Sequence, residues 1–102
     1  MWLFVFFDLP VELPKQRKAA TDFRKRLLKI GFTMMQWSVY VRHVPSQESS
    51  EVFVRQIERF KPPEGHIVIM KITDKQFGDM VNIWGNQGPP PQPAPSIQLE
   101  IF

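Results

Sequence analysis

The sequence predicts an α+β fold, a two-layer sandwich with an antiparallel sheet on one side and helices on the other. Three observations carry that expectation. Residues 2 to 8 and 66 to 73 are short apolar runs with strand composition. Residues 15 to 30 and 48 to 60 repeat their apolar positions every three or four residues, as helices do. Firm breaks separate them at Gly31, at Pro45 and at K-P-P-E-G, residues 61 to 65. The order is strand, helix, two strands, helix, strand, which is the βαββαβ order of a ferredoxin-like sandwich.

The first element, W-L-F-V-F-F-D, has no polar side chain before Asp8. Alternation puts Trp2, Phe4, Phe6 and Asp8 on one face and Leu3, Val5 and Phe7 on the other. Both faces are greasy, so both need cover. The chain's own helices cover one, and a second copy of the chain, stacked sheet on sheet, is expected to cover the face that carries Asp8. Pro14 suits the start of a helix, where its missing N–H costs nothing. In that helix Ala19, Ala20, Phe23, Leu27 and Ile30 form the inward stripe.

Residues 32 to 43, F-T-M-M-Q-W-S-V-Y-V-R-H, read as strand with a break near Gln36 to Ser38. The second helix is expected to face inward with Val52, Phe53, Ile57 and Phe60. The run Ile67, Val68, Ile69, Met70 looks like a central strand. Thr73 and Gln76 match a capping box, so a short helical turn should begin at Asp74. Residues 80 to 84 are open between helix and edge strand. Residues 85 to 96 hold five of the ten prolines and read as a stiff linker. The last six residues, I-Q-L-E-I-F, alternate again. The chain thus divides into a domain at 1–84, a Pro/Gly-rich linker at 85–96 and a C-terminal strand at 97–102. That strand is expected to pair with a sheet edge of the partner subunit.

Composition excludes several classes. The chain has no Cys, so disulfide frameworks and thiolate metal sites are out. The lack of cysteine fits a reducing cytoplasm, and no apolar run is long enough to span a bilayer or reads as a secretory signal. The net charge of +3 conceals an asymmetry. Residues 15 to 29 carry seven basic side chains against Asp22 alone, a local +6 on an otherwise slightly acidic body. Such a helix suits a polyanion. Lys15, Arg17, Lys18, Arg24 and Lys25 are the candidate phosphate contacts, which would position nucleic acid without reading sequence. Asp8, a carboxylate at the tip of a buried strand beside this charge, is the candidate metal ligand. His43 and His66 stand alone in sequence and read as strand-end surface residues. Ser38 has no His–Asp partners, so nucleophilic catalysis is not expected.

These residues also resemble a known family. F-D-L-P closing strand one, F-R-K-R-L-L-K in the basic helix, G-F followed by M-M-Q-W-S-V-Y, and G-H-I-V-I-M-K-I-T-D-K-Q-F appear in an order similar to that of the small CRISPR-associated "Cas-two" family, in the variant found with type II systems. The resemblance implies a face-to-face sheet homodimer. It implies a divalent cation, usually Mg2+, held at Asp8, and a metal-dependent endonuclease acting on RNA or DNA. It further implies a scaffold that holds double-stranded DNA between subunits of the CRISPR integrase during spacer acquisition. Many members carry Tyr before the aspartate, whereas this chain has Phe7. Two rival readings share the architecture: a toxin-like RNA interferase working without an integrase, and a small regulatory ferredoxin-like dimer.

Overall fold

The structure is a computed structural model that describes residues 1–89. The end of the Pro-rich linker and the C-terminal strand expected at 97–102 lie outside the described residues. The elements run β1 (Trp2–Asp8), α1 (Pro14–Lys29), β2 (Thr33–Gln36), β3 (Val39–His43), α2 (Gln47–Phe60), β4 (His66–Ile72) and α3 (Asp74–Gly78). The four strands form one antiparallel sheet in the order β2-β3-β1-β4. This is the ferredoxin-like arrangement the sequence predicts. No helix is long and apolar enough to cross a membrane among the described residues.

Alternation along β1 explains how the sheet divides the molecule. Leu3, Val5 and Phe7 turn to the helices and pack with Phe23 and Leu27 of α1, Ile57 of α2, and Phe32, Tyr40 and Val44. Trp2 and Phe4 turn the other way, into a second cluster with Val41 and Phe77. The helix starts are built locally. Pro14 opens α1, and the Gln16 side chain accepts from the Leu13 N–H at 2.9 Å. Ser46 caps α2 by accepting from the Ser49 N–H at 3.2 Å. The expected capping box is present at α3: Thr73 Oγ1 accepts from the Gln76 N–H at 3.1 Å, and Gln76 Oε1 accepts from the Thr73 N–H at 2.9 Å.

Four details depart from the sequence reading. First, β4 is an edge strand of this sheet, paired only with β1 among the described residues. Its unbroken apolar run serves two faces: Ile67 and Ile69 pack on the helix side, while Val68 and Met70 stay 45% and 42% exposed on the other. Second, Val52 points outward from α2. Its place in the buried stripe goes to Ser50, whose hydroxyl donates to the Gln47 carbonyl at 2.6 Å. Third, residues 80 to 84 are neither helix nor strand. Fourth, the chain covers part of its own second sheet face. The Phe77 ring stacks on Trp2 at 3.7 Å between centroids and 5° between planes, which buries both. The cover stops there. Phe6, at the far end of that face, is only half-buried.

An ion-pair cluster ties α3 down. The Met1 ammonium donates to Asp74 Oδ1 at 2.7 Å, and His43 Nε2 lies 3.2 Å from the same oxygen. The Trp2 ring meets His43 edge-on at 5.1 Å. The ammonium hydrogen bond, more than any other contact, holds the Asp74 carboxyl below the usual carboxylate range.

Candidate metal and nucleic-acid site at the end of β1

Asp8 stands where β1 runs out. It is exposed, on the same face as Phe6, at the end of the sheet that α3 leaves bare. An open depression of about 270 Å³ surrounds it, lined by Phe6, Phe7, Asp8, Ser38, Val39, His66 and Val68. Three chain segments meet there. The β2–β3 turn is fastened to β1 by the Phe7 N–H, which donates to the Ser38 carbonyl at 3.1 Å. The loop before β4 is pressed against the Asp8 backbone through Gly65. Its φ is +110°, and an added Cβ there would lie 2.8 Å from the Asp8 carbonyl oxygen. Only glycine takes that conformation at that approach without strain.

His66 is the residue that sequence reasoning missed. It pairs with Asp8 in the β1–β4 register, so both side chains rise from the same face. Directly opposed residues hold their Cβ atoms about 5 Å apart. The two are 58 positions apart in sequence, and only the strand register brings them together. Phe7, by contrast, has its ring in the helix-side core, 5.1 Å from Phe23 and 5.6 Å from Tyr40 between centroids. A tyrosine hydroxyl at that position would point away from the Asp8 carboxylate.

The predicted basic residues do not form one patch. Lys15, Lys18 and Lys25 share an exposed stripe of α1 at helical spacing. Lys18 pairs with Asp22 at 3.1 Å, and Lys15 borders a separate groove with Leu9, Pro10, Pro62 and Pro63. Arg17 turns back to the loop before the helix, where Nη1 donates to the Val11 and Glu12 carbonyls at 3.0 and 2.8 Å. Arg24 reaches toward the β2–β3 turn. Its Nε donates to the Trp37 carbonyl at 3.3 Å, and its guanidinium lies 4.1 Å over the Trp37 ring and 5.4 Å from the Phe7 centroid. Arg24 is therefore the one predicted cation with its charge held beside the Asp8 end.

A single chain does not present a magnesium site. Among the described residues no group of three or more His, Asp or Glu side chains gathers to hold a metal. Magnesium wants six oxygens. Asp8 offers one carboxylate, and the imidazole opposite is a poor ligand for so hard a cation. A magnesium ion held at Asp8 would need further oxygen ligands from outside the described residues of one chain.

Comparison with known proteins agrees with this architecture. The family described as CRISPR associated protein Cas2 matches residues 1–80. A "CRISPR-associated endoribonuclease Cas2" of Flavobacterium psychrophilum is 48% identical over the whole chain, which covers 88% of that relative. One of the same name from Parvibaculum lavamentivorans is 46% identical, with both chains covered in full. The crystal structure of Streptococcus pyogenes Cas2 at pH 6.5 superposes with a TM-score of 0.58 at 21% identity, over 83% of this chain and all of the other, a likeness of fold. The chain belongs to the Cas2 family.

Proposed function

We propose that this protein is a homodimeric nucleic-acid-binding component of CRISPR adaptation, with a phosphodiester-cleaving centre at paired Asp8 residues. The observation that carries the reading is the position of Asp8: exposed at the end of β1, in an open depression, on the half of a sheet face that α3 leaves apolar and bare. A face that carries Phe6, Val68 and Met70 is unsuited to water and suited to a second copy of itself. Twofold stacking of this face sets two Asp8 side chains toward one axis.

Two carboxylates so placed repel each other, and each repels a phosphate. The paired Asp8 carboxylates would hold a divalent cation, which would offset both repulsions. When bound, Mg2+ supplies charge neutralisation at the scissile phosphate and an acidified water. The chain's own residues then have simpler tasks. Asp8 would hold the cation, Gly65 and Ser38 fix the backbone on either side, and His66 stands beside the carboxylate with a group able to donate or accept a proton. The exposed lysines of α1 provide sequence-independent attraction for a nucleic-acid backbone. The relatives named as endoribonucleases support RNA cleavage. The second half of the proposal is a dimeric scaffold that holds double-stranded DNA and bridges subunits of a CRISPR integrase in the cytoplasm, a reading that membership of the Cas2 family supports.

The test is Asp8→Asn. Cleavage of RNA or DNA in magnesium should fall by about a hundredfold or more, while duplex binding and co-purification with an integrase persist. Full cleavage by the variant would remove Asp8 from the chemistry.

A further inference from the structure

We infer that Trp37 is a stacking platform for an unpaired nucleobase, one nucleotide from Asp8. The inference rests on the nucleic-acid reading above and narrows it to a single-stranded segment at the site.

The observations are local. Trp37 is 68% exposed, the most exposed of the tryptophans, at the tip of the two-residue turn between β2 and β3. Glycine or asparagine is the usual solution in so tight a turn. A large ring held out in water there contributes nothing to the core. Yet the ring is not loose. The Arg24 guanidinium lies 4.1 Å from its centroid, and Arg24 Nε donates to the Trp37 carbonyl at 3.3 Å. The arginine thus grips both the backbone and one face of the indole. A base can settle on the open side of the indole and complete a base–indole–guanidinium stack. The cation behind the indole strengthens it, and pinning the ring in advance lowers the entropy cost of binding.

Position supplies the rest. The neighbouring Ser38 carbonyl accepts from the Phe7 N–H at 3.1 Å, and Ser38 and Asp8 line the same depression. A base resting on Trp37 brings its own phosphate to the rim of that depression. A base inside a duplex has both faces occupied by its neighbours, so the platform selects unpaired nucleotides. Because every base has a π face, selection is by strandedness and not by sequence.

The experiment compares the full-length parent, Trp37→Ala and Trp37→Phe in binding a short fluorescein-labelled single-stranded oligonucleotide and a blunt duplex of equal length. Trp37→Ala should weaken single-strand binding by about tenfold and leave duplex binding unchanged. Trp37→Phe should restore most of the single-strand affinity. Tryptophan emission of the parent should be quenched by an unlabelled strand, and Trp37→Phe, which keeps Trp2 and Trp84, should lose that quenching while still binding. Undiminished single-strand binding by Trp37→Ala overturns this inference alone. An equal loss on both oligonucleotides, or a change in oligomeric state, makes Trp37 a structural or subunit contact and overturns it too. A parent that binds neither oligonucleotide overturns both this inference and the nucleic-acid reading beneath it.

Discussion

At the scale of single residues, position matters more than identity. Two aspartates show it. Asp8 is an exposed carboxylate at a strand end, and in the proposed dimer its value lies in what a second copy can set beside it. Asp74 is exposed too, yet its oxygen takes the chain's α-ammonium at 2.7 Å and faces His43 at 3.2 Å. The second arrangement has a pH signature. A carboxyl lowered in the folded state contributes stability that is fully present above its unfolded value, about 3.9. That contribution disappears as pH falls through the lower folded value. The stability difference between the parent and Asp74→Asn, measured by urea unfolding, should persist down to about pH 5 and shrink as pH falls below about 4. A difference that did not shrink below about pH 4 would contradict the ion pair. Asp8 was legible in the sequence because a lone acid closing an apolar strand is conspicuous. His66 was not, because its relation to Asp8 exists only in the β1–β4 register.

Among the elements, the turns set the site and the strands hold it. Gly65 shows this most directly. At φ +110°, with Leu9 Cδ2 at 2.6 Å and the Asp8 carbonyl at 2.8 Å from a built Cβ, it lets the β4 approach lie flat on the end of β1. Gly65→Ala should cost about 1–3 kcal/mol of stability. It should also displace Asp8, so that cleavage falls by more than binding does. A variant with parental cleavage would show that the loop does not position the carboxylate. Helix starts were readable because their chemistry is local: Pro14 at α1 and the Thr73–Gln76 box at α3 follow from residues within one turn. The standing of β4 was not readable. An apolar run reads as central, but β4 is apolar because both faces of the sheet are apolar, and its edge position is set by which strands pair. The cover that Phe77 provides for Trp2 was missed for a related reason. A five-residue helix gives too little periodicity to show which face it presents.

For the whole molecule, the proposed function rests on the distribution of charge and of bare apolar surface. The +6 of residues 15 to 29 was visible in composition, but the structure divides it. Arg17 and Arg24 are engaged with carbonyls and Lys18 with Asp22, so in the proposed function Lys15 and Lys25 of the α1 stripe are the cations that meet a nucleic-acid backbone. Duplex affinity should therefore fall steeply with salt. Lys25→Ala should lower the slope of log K against log salt by about 0.9 while weakening all sequences alike. An unchanged slope would take that side chain out of the interface. The ferredoxin-like order was recoverable from periodicity and breaks alone, since each element announces itself over a few residues. How much of the apolar sheet face α3 covers depends on tertiary packing, which no local pattern encodes.

The pairing of two bare faces is the claim on which the metal, the cleavage and the scaffold all depend. Because the natural chain has no cysteine, Asp8→Cys places a unique thiol at the end of β1. A short bis-maleimide should join two such chains in high yield at low protein concentration, and should leave a Lys29→Cys control, at the far end of α1, almost entirely uncoupled. Equal yields from the two variants, or no covalent dimer from Asp8→Cys, would contradict the account.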